Sequence, residues 1–211
     1  MHSSERISEC SKKYDLYEKY GDFDKYEKKP VFIYLFCHDD LDEGYRRIIY
    51  RDYLKDLMFE LEQVFQREII VELHYAIPGL TDLSYKTELG EERRSLDAFA
   101  SRGAAFAQEN DLSYRHNYRY GLITRDGISS SMHGLALVGR SFFLASVQGY
   151  QHIAHELGHT FNASHEYAEV TLGVPPKQTC MYEVNNPLYA KDYRFSDANR
   201  SRMAEFLASV E

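Results

Sequence analysis

His155-Glu156-Leu157-Gly158-His159-Thr160-Phe161-Asn162-Ala163-Ser164-His165 gathers three imidazoles and one carboxylate into eleven residues. Residues four apart share one face of an α-helix, so His155 and His159 can aim two ring nitrogens at one point, with Glu156 beside them. His165 lies too far along to continue that face. It reaches the same point only if the helix stops near Asn162 and the backbone turns sharply. Asn is the non-glycine residue best suited to such a turn, because its short polar side chain tolerates positive φ at a helix C-terminus. Three neutral imidazoles converging in this way are a zinc ligand set with one position left open, and the stretch is read as a site for one catalytic Zn2+ ion. Zinc lowers the pKa of a water in the open position toward about 7, and Glu156 is placed to take that proton and pass it to a leaving amine.

Other groups compete for parts of this reading. His152, three residues before His155, lies near the ligand face but outside the spacing, and is expected to be a neighbour. Glu166 and Glu169 are carboxylate alternatives for the third ligand, and His38-Asp39-Asp40 is a candidate second metal site at the end of a strand. Met181, in Thr179-Cys180-Met181-Tyr182, reads from the residues alone as core filler.

The rest of the chain bounds the class of protein. Its 211 residues suit one domain, alone or with a small subdomain, and can bury a substantial core. Thirty-three acidic against 25 basic residues give a net charge of −8 without a basic stripe, so no nucleic-acid partner is expected. The longest apolar runs, such as 31–36, fall far short of the roughly 20 residues that span a bilayer. The N-terminus, MHSSERISECSKKY, has no apolar stretch of the secretory type. Localisation stays open between the cytoplasm and an export route not visible here. Cys10, Cys37 and Cys180 are an odd number without metal spacing, which argues for reduced thiols, one pair being possible.

The order of elements predicts a mixed α/β fold with a mostly parallel twisted sheet and one antiparallel edge strand. Residues 1–29 form a polar extension with aromatics at Tyr14, Tyr17, Tyr20, Phe23 and Tyr26, and the domain is expected over 30–211. Val31 to Cys37 reads as a buried parallel strand. After Gly44, the apolar positions Tyr50, Tyr53, Leu54, Leu57, Met58, Leu61, Val64 and Phe65 follow helical offsets, with charged residues on the other face. Ile69 to Ile77 is a second strand, which implies a right-handed parallel crossover. A helix over 91–110, a strand over 118–124 and two short strands over 135–138 and 142–147 follow. A helix over 148–161 carries the histidines. Beyond His165 come loops and a last helix, capped by Ser196, with Met203, Phe206, Leu207 and Val210 as its buried face.

His165 falls six residues after His159, and this spacing resembles the extended motif H-E-x-x-H-x-x-G-x-x-H of the metzincin metallopeptidases, with Asn162 where the family has Gly. His116-Asn117, the segment 121–126, the segment 134–139, Ser146-Val147-Gln148 and Phe195-Ser196-Asp197-Ala198-Asn199 are similar to the adamalysin or reprolysin branch, over roughly residues 114 to 207. The family's disulfide cysteines are largely missing. The resemblance implies a zincin fold with an upper subdomain over 30–165 and a small irregular lower one over 166–211. It also implies a zinc metalloendopeptidase acting on protein or peptide substrates, with His155, His159 and His165 as ligands, Glu156 as general base and Met181 in a methionine turn. A peptide would add to the edge strand at Leu135, Ala136, Leu137 and Val138. Val184, Pro187 and Tyr189 would shape the pocket beyond the scissile bond. An inactive zinc-stabilised peptide-binding module and a latent protease blocked by residues 1–29 are the alternatives. No partner state is implied.

Overall fold

The computed structural model describes residues 3–6, as backbone only, and residues 28–112, 116–183 and 187–209. Strand β1 spans Ser3–Arg6, β2 Val31–Cys37 and β3 Ile69–Tyr75. Strand β4 spans Tyr118–Thr124, β5 Gly134–Ala136 and β6 Phe142–Ser146. They form one sheet in the order β1-β3-β2-β4-β6-β5. The four central strands are parallel, as the strand–helix–strand order predicts. β5 is the expected antiparallel edge. At the other edge β1, part of the predicted extension, also runs antiparallel, with Ser3 opposite Tyr75.

Strand periodicity sorts the core onto two faces. Val31, Ile33, Leu35 and Cys37 belong to one apolar cluster, together with residues of the histidine-bearing helix and the last helix. Tyr34 and Phe36 point the other way, into a cluster closed by Leu96, Phe99 and Ala107 of helix α3, Glu92–Glu109. The predicted long helix is divided. Helix α1, Glu43–Ile49, is capped by the Asp42 side chain, which accepts from the Tyr45 amide at 3.1 Å. A wide turn, Tyr50–Leu54, joins it to helix α2, Lys55–Phe65, which ends at Gln66 with φ 51°. That wide turn brings the Tyr53 hydroxyl onto the Val147 carbonyl at 2.8 Å, just ahead of the histidine stretch.

Several boundaries differ from expectation for local reasons. β3 stops at Tyr75 because Ala76 takes φ 53°, which a strand cannot continue. β5 stops at Ala136 because the chain turns there, the Arg140 amide donating to the Leu137 carbonyl at 2.9 Å. Helix α4, His152–Thr160, starts four residues later than 148, since residues 148–151 form the turn that leaves β6. After it come the short strands β7 Val170–Thr171, β8 Lys177–Gln178 and β9 Ala190–Lys191, paired as a small sheet, and helix α5, Asp197–Ser209. Ser196 caps α5 as predicted, its hydroxyl accepting from the Asn199 amide at 3.2 Å, and Met203 and Leu207 are buried. Cys37 and Cys180 are buried. Among the described residues, no helix is long and apolar enough to cross a membrane. Cys10, Val184, Val210 and the aromatic series from Tyr14 to Tyr26 lie outside the described residues.

Candidate metal centre and cleft

The turn after α4 is built from backbone hydrogen bonds. The Asn162 amide donates to the His159 carbonyl at 3.0 Å, the Ala163 amide to the Gly158 carbonyl at 3.0 Å, and Asn162 itself sits at φ 72°. These two bonds and one left-handed residue are the Schellman pattern, which satisfies helix-end carbonyls and reverses the chain. The next segment is fixed from α5. Buried Asn199 accepts from the Ser164 amide at 2.8 Å and donates its own amide to the Ser164 carbonyl at 3.0 Å. His165 follows directly.

As a result, the three imidazoles meet. The His165 Nε2 atom lies 2.9 Å from Nε2 of His155 and 3.0 Å from Nε2 of His159. On the far sides of two rings, Nδ1 of His155 donates to the Cys180 carbonyl at 2.9 Å and Nδ1 of His159 to the Ala163 carbonyl at 3.0 Å. A neutral ring that donates through Nδ1 presents a bare lone pair at Nε2. Burial, with the neighbouring imidazoles, pushes His155 down to about 3, and burial also lowers His159, so these two rings are neutral. Lone pairs this close repel one another unless a cation sits among them. The donor set therefore fits a zinc ion, with carbonyls fixing the outer nitrogens as ligand histidines require. Among the described residues this is the one convergent group of three or more His, Cys, Asp or Glu ligand atoms. Glu166 and Glu169 are exposed and take no part in it.

Met181 lies in a tight turn, the Tyr182 amide donating to the Thr179 carbonyl at 3.1 Å. Fully buried, it packs under α4, where its sulfur lies 2.8 Å from the position a Cβ on Gly158 would take. The same turn supplies the Cys180 carbonyl that holds His155. Gly158 is thus required for the helix to rest on the turn.

Glu156 points away from the turn, toward β5. A Cβ on Gly134 would lie 2.7 Å from its Oε1, so only glycine lets the carboxyl come against this strand. Burial pushes the carboxyl up to about 8, and a hydrogen bond from the Ala136 amide opposes that rise. A cation at the three histidines would lower it further, toward neutrality. Beside Glu156 and His155 opens a cleft of about 310 Å³, also lined by His133, His152, Tyr182 and Lys191. Leu135, Ala136 and Leu137 are half-buried and Val138 is exposed; they run on from Gly134 without lining this cavity, and neither do Pro187 and Tyr189. Among the described residues nothing pairs with the outer side of β5. A larger cavity, about 760 Å³ around His74, Arg102 and Phe106, holds none of the predicted site residues.

His152 is a neighbour, its ring stacked on His133 at 5.1 Å. The His38 segment serves structure. His38 donates to the Leu83 carbonyl at 3.0 Å, and Asp40 accepts from the Tyr85 hydroxyl at 2.6 Å and the Arg125 amide at 3.1 Å. Sequence reading missed Asn199 and Arg119. Fully buried Arg119 donates to the Thr160 hydroxyl at 2.9 Å and the Thr160 carbonyl at 3.0 Å, and lies 3.9 Å over the Phe161 ring. It caps the C-terminus of α4 with a cation, where the helix dipole favours one. No signal of periodicity marks either residue, since each acts across the fold.

The sheet, its helices and the three-histidine group make this a mixed α/β fold that carries a candidate metal site at the end of one helix. The crystal structure of metalloproteinase-II from Bacteroides fragilis is similar to this chain with a TM-score of 0.56 and 18% sequence identity, over 84% of this chain and 53% of that one. The chain spans about half the length of that neighbour. No protein-family model and no curated protein matches the sequence.

Proposed function

We propose that the chain is a zinc-dependent metalloendopeptidase of metzincin type, hydrolysing peptide bonds in protein or peptide substrates. The observation that carries this reading is the meeting of three Nε2 atoms whose rings are fixed, on two of them, by carbonyls behind. Zinc bound there would supply a Lewis acid for the scissile carbonyl and an acidified water. The chain's own residues divide the remaining work. Glu156, buried and held by the Ala136 amide, takes a proton from the attacking water and returns it to the leaving amine. The free side of β5, from Gly134 onward, offers backbone donors and acceptors to an extended peptide. The Met181 turn holds His155 in its tautomer through the Cys180 carbonyl.

Residues 30–211 are the catalytic unit in this reading, with 166–211 as the lower subdomain. The adamalysin branch rests on the resemblance at His116-Asn117 and in segments 121–126, 134–139, 146–148 and 195–199. A binding module without catalysis is disfavoured because it has no use for a buried carboxyl beside the metal group. Incubating the zinc-loaded chain with a broad peptide library, with and without a chelator, tests the proposal by mass spectrometry of the products. Chelator-sensitive cleavage at defined sites is expected; an intact library, or products indifferent to chelator, would sink it.

A further inference from the structure

We propose that the cleft beside Glu156 selects substrates carrying an acidic side chain next to the scissile bond, with Lys191 as the recognising charge. This rests on the peptidase reading above. A side chain lying against Glu156 and His155 belongs to a residue at or beside the reacting carbonyl, so the lining of this cleft decides which residue that is.

The lining is polar. Apart from Met132, no aliphatic residue lines it among the described residues. The His133 and His152 rings stack at 5.1 Å with an interplanar angle of 13°. His152 is locked in place, its Nδ1 at 3.2 Å from the Ser146 hydroxyl and its Nε2 at 2.4 Å from where a Cβ on Gly149 would stand. The Gln151 amide nitrogen donates to the Gln178 and Asp192 carbonyls. An aliphatic side chain entering here would strip water from imidazoles and an ammonium without offering a partner, which is costly.

Lys191 sets the sign of the charge. It is half-buried, and its ammonium has no ion-pair partner among the described residues, while its charge acts on His152. Of the carboxylates nearby, Glu183 shares the lining with Lys191 and Glu156. Asp192 pairs with Lys177 at 3.8 Å, and Glu183 reaches toward His165 at 3.9 Å with its side chain 73% exposed. An exposed carboxylate at the rim is screened by water and salt, whereas the charge of a half-buried side chain is screened less. Glu156 belongs to the reacting group. A substrate carboxylate completes the pairing that Lys191 lacks, and a substrate ammonium meets like charge.

The test uses zinc-loaded full chain and peptides identical except at the residues flanking the scissile bond, bearing Glu, Gln, Leu or Lys there. Cleavage should favour Glu over Lys and Leu by at least about tenfold in kcat/KM. Lys191→Glu should reverse the Glu-to-Lys order, and Lys191→Met should erase it. Binding of the same peptides to zinc-loaded Glu156→Gln, read by fluorescence anisotropy, should follow the same order without turnover. A preference for Leu or Lys in the wild type, or an order unchanged in Lys191→Glu with its circular dichroism intact, overturns the proposal. Cleavage of no peptide counts against the peptidase reading instead, and the binding order then decides this inference alone.

Discussion

Asn162 sits at φ 72° in the turn that carries the chain from the end of the histidine-bearing helix to His165. The left-handed region costs most L-residues about 1–2 kcal/mol, and Asn less, because its side chain is short and polar. Replacing Asn162 with Ala is therefore expected to lower the unfolding free energy of the metal-free chain by about 1 kcal/mol, whereas Asn162→Gly should leave it nearly unchanged, as glycine adopts this φ freely. Urea unfolding of the two variants measures the difference, and an Ala variant as stable as wild type would show that the strain assigned to this turn is absent. This residue was legible in the sequence because the spacing from His159 to His165 demands a reversal. Glu156 was legible for a similar reason, its place beside His155 being set by the motif. What could not be read was the glycine that lets its carboxyl approach, since Gly134 lies 22 positions earlier and meets Glu156 only after the sheet has formed.

Among the elements, the last helix acts at a distance. Asn199 near its N-terminus clamps both backbone groups of Ser164, one residue before His165. Asn199→Ala removes the clamp and should weaken zinc binding about tenfold, as losing an outer support of a metal ligand does. Competition with a chelator, corrected for the folded fraction, reads this directly; unaltered affinity would mean that His165 is held by its own turn. Hydrophobic periodicity located this helix and its apolar face but carried no information about a buried amide. The same limit shows in α2, whose charged residues were assigned to the outer face. Glu60 is instead buried, accepting from the Phe195 amide at 2.8 Å and from the Arg200 guanidinium, and so ties α2 to the start of the last helix. Charge at a helical position reads as solvent exposure until a partner from elsewhere in the chain is known. Strand ends were misjudged by one or two residues where a single backbone angle, such as φ 53° at Ala76, ended the pairing.

For the whole molecule, the order of strands in the sheet was not written in the pattern, but the strands themselves, their parallel crossover and one antiparallel edge could be anticipated from apolar runs and crossover rules. The pairing of Ser3–Arg6 could not, because a polar edge strand has no apolar signature. Stability of the whole should depend on pH through buried neutral histidines. His74 packs against Phe36 at 5.1 Å and Phe106 at 5.6 Å, its Nε2 lacks a hydrogen-bond partner among the described residues, and burial pushes it down to about 4. Glu72, 3.7 Å away, is too far for a hydrogen bond, so burial dominates. A folded-state pKa below the unfolded value gives stability that is complete above about 6.5 and is lost as pH falls toward about 4, here up to about 3 kcal/mol. His74→Phe keeps the ring and removes the titration. In urea unfolding of the metal-free chain, this variant should lose about 2 kcal/mol less than wild type between pH 7 and pH 4.5; equal losses would place the acid sensitivity in other groups. The central claim, that one buried carboxyl beside three converging imidazoles performs peptide hydrolysis, is met most directly by comparing wild type with Glu156→Gln. Both should bind one zinc with the same affinity, while cleavage of a substrate peptide falls about 10²–10⁴-fold in the variant. Undiminished cleavage by zinc-loaded Glu156→Gln would contradict it.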